Sequence, residues 1–454
     1  MNVLIYSNPE ILVALGRQPR FKNKNYRLNK FCLIDDIMNG KLIYNGLSRS
    51  FIFITNKEFF NIYNKESNED YINFLYENWF LVEESFDEFN FIREFRDRNR
   101  IPLDDFYLKT TKEYTILTTT ACNARCFYCY EQKVKKSTMT IETAEKIADY
   151  IKQHSPKDET IELRWFGGEP LVNTIAMDTI CYSLIDNGFS INSHITTNGY
   201  LFDEDIIEKA INVWHITSCQ ITLDGTEEVY NKAKNYIYKK GNNNPYQRVI
   251  NNISLLINNG INVGIRMNVD LYNGDDLKDL VYELYNRFGN HPSLYLYCYP
   301  IFENKFFSRT DEDRTKVFEK IKEIEQVMSD CNYFSGNQLS YGIRLNHCMV
   351  DDGKSITFSP KGEIGLCEHC VDYDFMGHID KPDELDKNVI NSWKVYEKDL
   401  DICFDCPNFP NCVRASKCEE QSKCYPEYKE WLIRKQRQGM KETYYNIINE
   451  RNNN

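Results

Sequence analysis

The chain has 454 residues, 42% apolar and 27% charged, with a formal net charge of −12 and a pI of about 5.3. That length exceeds one ordinary hydrophobic core and predicts two or three globular domains, while the acidic balance leaves no basic surface for phosphate backbones and argues against nucleic acid as a partner. The opening MNVLIYSNPEILVALG lacks a basic n-region and no stretch is long and apolar enough to cross a bilayer, so no membrane partner and a cytoplasmic location are expected.

Residues 1–110 read as a small α+β module. FCLID and GKLIYNGLSRSFIFI are rich in Ile, Phe, Tyr and Leu and predict strands meeting at turns. FLYENWFLVEE reads as a helix end running into a strand, and DEFNFIREFRDRNR as a helix stopping at Pro102. This order suits a compact winged-helix-like unit.

Over residues 111–300 the pattern becomes regular. Six short runs, EYTILTTTAC, IELRWFGGEP, INSHITTNGY, SCQITLDG, NVGIRMNV and SLYLYCYP, each end in a polar or glycine-containing turn. Amphipathic helices separate them. One carries Ile141, Ala144, Ile147, Ala148 and Ile151 on a single face; another carries Val249, Ile250, Ile253, Leu256 and Ile257, closed by Gly260. Six-fold strand–helix alternation predicts an α/β fold with parallel strands and helical crossovers, in an open sheet or a barrel. Chemistry in such folds sits at the carboxyl ends of the strands. The unusual residues fall there: cysteines after the first strand, GGEP after the second, TTNG after the third, LDG after the fourth.

Residues 301–340 are charged and partly helical and read as a connector. Residues 341–430 lose periodicity and gain eight cysteines, which points to organisation by metal rather than by a core. Residues 431–454 complete a helical tail whose final asparagines are expected to be disordered.

In a reducing compartment, clustered cysteines are usually metal ligands or redox groups rather than disulfides. Of the sixteen, Cys32, Cys181, Cys219, Cys298 and Cys331 are scattered singly and read as small buried hydrophobes. Cys122, Cys126 and Cys129 form C-x3-C-x2-C in a loop after a strand. One short loop of this spacing offers three thiolates to a compact 4Fe–4S cube and leaves one iron open. The competing reading is a zinc ion completed by a distant residue.

This loop, paired with Trp165-Phe166-Gly167-Gly168-Glu169-Pro170 at the next strand end, resembles the radical S-adenosylmethionine (radical SAM) superfamily over roughly residues 112–300. The resemblance implies a partial (β/α)6 TIM barrel whose open iron is chelated by the amino and carboxylate groups of S-adenosyl-L-methionine. Reduction would then cleave the sulfonium and give a 5′-deoxyadenosyl radical that takes a hydrogen atom from substrate. It further implies that Gly167 and Gly168 let the backbone, with Glu169 and Pro170, approach the methionyl ammonium, and that Tyr128 lies near adenine. Thr196, Thr197 and Asn198 suit ribose or carboxylate contacts and equally suit strand-end capping. Relatives carry His-Asp-x-x-Arg after Leu-Asp-Gly. Here the matching positions are Tyr230, Asn231 and Lys234, so Lys234 or, in the strand GIRMN, Arg266 is left to meet the cofactor carboxylate, with a surface salt bridge as the plain alternative.

In the tail, Cys348, Gly362-x4-Cys367, Cys370, Cys403, Cys406, Cys412, Cys418 and Cys424 resemble the SPASM domain appended to radical enzymes that modify peptides. Eight thiolates match two auxiliary 4Fe–4S clusters, three clusters in all. The family order would give Cys348, Cys367, Cys370 and Cys418 to the nearer one and Cys403, Cys406, Cys412 and Cys424 to the farther. Two departures, the longer gap from Cys412 to Cys418 and the position of Cys370, leave room for an auxiliary cluster with an open iron. Zinc knuckles at CEHC and CFDC are the alternative.

The resemblance implies a ribosomal precursor peptide as substrate, its leader bound by the N-terminal module as an added strand, and a donor of electrons such as flavodoxin or ferredoxin. The expected product is a thioether or a C–C or C–O crosslink. The alternatives are formylglycine formation in a sulfatase and, outside enzymes, a zinc-organised binding protein.

Overall fold

A computed structural model of the chain describes residues 3–16, 25–99, 113–237, 244–301, 303, 308–333, 339, 349–351, 355–369, 373–393, 403, 406–412 and 424–453. The helix stop expected at Pro102, together with Cys348, Cys370 and Cys418, lies outside these. The chain divides into two compact units, one of residues 1–100, 337–348 and 395–454, the other of residues 101–336 and 349–394.

The first unit begins with β1 (Val3–Tyr6), α1 (Pro9–Leu15), β2 (Tyr26–Leu28), β3 (Cys32–Ile37), β4 (Gly40–Asn45) and β5 (Phe51–Thr55). It continues with α2 (Asn56–Tyr63), α3 (Glu69–Glu77), β6 (Leu81–Glu83) and α4 (Glu88–Asn99). An antiparallel sheet runs β1-β5-β4-β3, and β2 pairs with β6. Alternation gives the sheet two apolar faces. Ile43, Ile52 and Ile54 join Ile62 of α2 and Ile72 and Leu75 of α3 on one side. Leu33, Leu42, Tyr44 and Phe51 join Met440 on the other. Thr55 and Glu58 form a capping box that starts α2 directly from β5.

The second unit carries the six expected strands: β7 (Glu113–Thr119), β8 (Ile161–Gly167), β9 (Ile191–Thr197), β10 (Ile216–Thr222), β11 (Asn262–Val269) and β12 (Leu294–Pro300). They pair in parallel in sequence order. The intervening helices are α5 (Ile141–His154), α6 (Thr174–Asp186), α7 (Glu204–Asn212), α8 (Glu227–Lys234), α9 (Pro245–Asn258) and α10 (Asp276–Phe288). This is the α/β architecture of a partial TIM barrel. Ile191, Ser193, Ile195 and Thr197 of β9 are buried, while Asn192, His194 and Thr196 on its other face are half-buried. On that second face His194 contacts Glu162 of β8 at 3.1 Å and also Ser218 of β10, and the Tyr297 hydroxyl of β12 donates to Gln220. The barrel thus has a polar inner wall.

On α5, Ala144, Ile147, Ala148 and Ile151 are buried, but Ile141, the first helical residue, is 55% exposed. The five apolar residues of α9 are all buried. Gly260 closes α9 with φ +80°, its N–H donating to the Ile257 carbonyl and that of Ile261 to Leu256, the two bonds of a Schellman cap.

After α11 (Asp311–Asp330) come β13 (Ser355–Phe358), β14 (Glu363–Gly365) and β15 (Gly377–His378). They extend the barrel sheet, with β13 parallel to β7 and the rest antiparallel. After α12 (Lys387–Trp393), the chain returns to the first unit, where α13 (Pro426–Asn453) packs on β3 and β4. The region 341–430 is therefore shared between the two units. The asparagine tail expected to be disordered is helical through Asn453. No helix among the described residues is long and apolar enough to cross a membrane.

Candidate active site

The three-cysteine loop leaves the end of β7 and is fastened from both flanks. The Arg125 N–H donates to the Lys234 carbonyl at the end of α8 at 2.8 Å, and the Ile237 N–H to the Asn123 carbonyl at 2.9 Å. The Arg125 guanidinium folds back on the carbonyls of Cys122 (2.6 Å) and Ala124 (2.7 Å). Asn198, just past β9, donates its side-chain amide to Asn123 Oδ1 at 2.6 Å. The Ala124 N–H points at Cys122 Sγ (3.3 Å).

The glycines of GGEP are required by a close approach of two strand ends. A Cβ on Gly167, whose φ is +115°, would stand 2.2 Å from the Thr119 carbonyl oxygen, and one on Gly168 2.5 Å from that of Ala121. Backbone hydrogen bonds from Gly168 to Thr119 and from Glu169 to Ala121 occupy that space instead. Only glycine fits where β8 passes over the root of the cysteine loop.

Glu169 is fully buried and faces the protein. Its carboxylate accepts from the Thr197 hydroxyl (2.8 Å), the Asn198 N–H (2.8 Å) and the Leu171 N–H (3.2 Å). Burial pushes its pKa up to about 7, against the opposing pull of those donors. Thr197 and Asn198 are thereby tied to GGEP, and Pro170 offers its carbonyl to the Thr118 hydroxyl at 3.0 Å.

Tyr128, between the second and third cysteines, directs its hydroxyl to Asp224 Oδ2. Lys234 Nζ lies 3.0 Å from that hydroxyl and 3.1 Å from the same carboxylate oxygen. The Lys234 and Asp224 side chains are 4% and 0% exposed. Burial pulls the ammonium toward neutrality, but Asp224 and Tyr128 outweigh it and hold its pKa well above the ordinary range. Burial, with Asp224, drives the Tyr128 phenol upward, so it stays neutral and donates. Asp224 lies in the LDG motif, whose sequence signal was visible without its partner being so.

The structure brings Cys122, Cys126, Cys129, Tyr128, Gly167, Gly168, Glu169, Pro170, Thr197, Asn198 and Lys234 to one end of the barrel. Arg266 of β11 is in register with Thr222, the last residue of β10, and its carbonyl accepts from the Leu223 N–H at 3.0 Å; its Nε donates to Asn268 Oδ1 at 2.9 Å and its guanidinium lies 5.0 Å from the Tyr299 ring centroid. Burial raises the thiol pKa of Cys122 to about 12 and that of Cys129 to about 11, and Cys126 moves the same way for the same reason. Without a cation these thiols stay protonated; ligation must supply the positive charge and release protons.

The donor set fits an iron–sulfur cube. Cys122, Cys126 and Cys129 are half-buried on one loop and outside any disulfide. Asp224 Oδ1 and Asn123 Nδ2, both buried at that loop, have no hydrogen-bond partner among the described residues and suit a bound ligand. No three His, Cys, Asp or Glu side chains among the described residues are gathered as a single metal ion would need. Residues 116–283 match the Radical SAM superfamily. That match runs from β7 into α10. Among solved structures, the chain is similar to anSMEcpe with bound AdoMet (TM-score 0.53, 16% identity, 75% of this chain and 100% of that one). It is similar also to anSMEcpe with bound AdoMet and Cp18Cys peptide (TM-score 0.51, 16% identity, 75% and 99%). A third likeness is to Streptococcus suis SuiB bound to precursor peptide SuiA (TM-score 0.51, 14% identity, 89% and 98%). At these identities the likeness is one of fold. No curated protein matches the sequence.

The remaining cysteines fall in both units. Cys367 follows β14, its Sγ facing the His369 N–H at 3.4 Å, and the His369 ring lies 4.7 Å from that of Tyr130, the residue after Cys129. Cys403, Cys406, Cys412 and Cys424 belong to the first unit. Cys181, Cys219, Cys298 and Cys331 are buried, and Cys32 is half-buried against the core of α2 and α3.

Proposed function

We propose that the chain is a radical SAM/SPASM enzyme that modifies a ribosomally synthesised precursor peptide, forming a thioether or a C–C or C–O crosslink. The observation that carries this reading is the α+β unit preceding the barrel. Its sheet ends at the edge strand β3, where outward backbone groups are suited to pairing with an extended leader. The likeness to SuiB bound to precursor peptide SuiA extends over 89% of the chain, against 75% for anSMEcpe, and supports it.

In this reading Cys122, Cys126 and Cys129 ligate the catalytic 4Fe–4S cluster, and two auxiliary clusters take the eight tail cysteines. When bound, the cluster and S-adenosyl-L-methionine supply one-electron cleavage of a sulfonium and hence hydrogen-atom abstraction, with flavodoxin or ferredoxin as the electron source. The protein's part is positional. Gly167 and Gly168 let β8 brace the cysteine loop, and Glu169 fixes Thr197 and Asn198 at the strand end. The Lys234–Asp224 pair anchors Tyr128 between two ligands, leaving Asp224 Oδ1 to accept from the cofactor.

The second reading is oxidation of a Cys-bearing peptide to formylglycine, favoured by the likeness to anSMEcpe with bound Cp18Cys peptide. Anaerobic reconstitution followed by mass spectrometry on the peptide encoded beside this gene separates the two. Loss of two hydrogens per event is expected; a further loss of sulfur would transfer the assignment to formylglycine. Colourless, zinc-loaded protein that forms no 5′-deoxyadenosine would overturn both.

A further inference from the structure

The cysteines expected to hold the farther auxiliary cluster are built into the N-terminal unit, although over 300 residues separate the two in sequence. Phe409, between Cys406 and Cys412, is 3% exposed and stacks on Phe89 of α4 at 4.4 Å and on Phe31 beside β3 at 5.9 Å. Cys403 and Cys406 pack against the same cluster, which includes Trp79, Val82 and Ile92. Around Phe409 the loop is a series of tight turns. Cys406 donates its N–H to the Cys403 carbonyl at 3.1 Å, Phe409 to Cys406 at 2.9 Å and Cys412 to Phe409 at 3.1 Å. Asn408, Phe409 and Pro410 are buried, while Cys403, Cys406, Cys412 and Cys424 are half-buried.

The following helix closes the arrangement. Gln436 of α13 donates to Asn408 Oδ1 at 2.6 Å, Met440 is fully buried against the β3–β5 sheet, and Lys441 pairs with Asp35 of β3 at 3.0 Å. A metal–sulfur site here therefore has its inner wall in α4 and the β3 region, and the sheet has part of its cover in the segment carrying the thiols.

We propose that ligation of Cys403, Cys406, Cys412 and Cys424 and folding of the N-terminal module are one linked equilibrium: the module that receives the precursor is also the scaffold of the farther cluster. This rests on the reading above, in which the quartet is ligated by iron. A ligand that binds only the ordered quartet stabilises everything ordered with it, and the coupling is reciprocal.

The test uses full-length, anaerobically reconstituted protein, measuring iron and sulfide per chain together with hydrogen exchange. Cys406→Ser is expected to remove about four irons per chain and to speed amide exchange in residues 31–45 and 88–95 by at least about tenfold. Barrel strands β7 and β8 are expected to be unchanged. From the other side, Phe89→Leu, which keeps an apolar side chain and leaves all four thiols in place, is expected to lower iron by about the same four atoms. Loss of iron in Cys406→Ser with module exchange unchanged would overturn the linkage and leave the enzyme assignment standing. An iron count unaffected by Cys406→Ser would overturn the ligation reading beneath it, and the proposal with it.

Discussion

Replacing Lys234 by Met tests whether the cysteine loop is held by a buried ion pair. In the wild type, Asp224 is neutralised by an ammonium 3.1 Å away, and both side chains are at or near zero exposure. Lys234→Met keeps the apolar stem and the backbone carbonyl that accepts from Arg125, but leaves a buried carboxylate facing the neutral Tyr128 hydroxyl. Removing one partner of a buried pair costs about 3–5 kcal/mol, whereas removing both charges often costs little. Lys234→Met combined with Asp224→Asn is therefore expected to recover more than half of the loss. Because the chain has two units, urea unfolding is best combined with hydrogen exchange over residues 120–130, which reports on the loop itself. If the double variant is no more stable than the single one, with equal loop exchange, the pair does not hold the loop.

Two further outcomes follow from the same geometry. Gly168→Ala drives a methyl to 2.5 Å from the Ala121 carbonyl, where only backbone can yield; a loss of about 1–3 kcal/mol and poorer retention of iron by the loop are expected, measured by melting and iron content after gel filtration. Normal iron retention would show that β8 does not brace the loop. Glu169 carries a pKa raised by burial from 4.5 to about 7, so between those values the folded chain holds a proton that the unfolded chain has lost. Its contribution is present below about pH 4.5 and is lost as pH rises to about 7, roughly 3 kcal/mol over the window. The urea midpoint of metal-free Glu169→Gln should accordingly fall less steeply than that of the wild type from pH 5 to 7.5. Parallel slopes would refute the buried-acid account.

The barrel was legible because each of its strands alternates or runs apolar and then ends in a turn, and because the chemistry-bearing residues collect at those ends. Gly260 was legible for the same local reason: a C-cap follows from the helix it closes. What lay beyond reach was non-local. Nothing in Ser355–Phe358 announces that it pairs in parallel with β7, and nothing in the spacing of Ile433, Met440 and Tyr444 says which sheet they cover. The resemblance implied that Gly167 and Gly168 serve approach to the cofactor; that a Cβ on either would strike the backbone oxygens of Thr119 and Ala121 depends on a strand pairing the motif does not spell out. Lys234 was visible as a charge at an arginine position. Its engagement with Asp224 and Tyr128 depends on the turn that folds α8 back over the cysteine loop, a tertiary fact.

The central claim is that three thiolates on one loop hold a cube with an open iron that takes the sulfonium cofactor. Its most direct test is formation of 5′-deoxyadenosine from S-adenosyl-L-methionine under dithionite, comparing reconstituted wild type with Cys126→Ala. The wild type should cleave the cofactor and the variant should fall to background while its auxiliary iron is retained. Cleavage by Cys126→Ala at the wild-type rate would contradict the account.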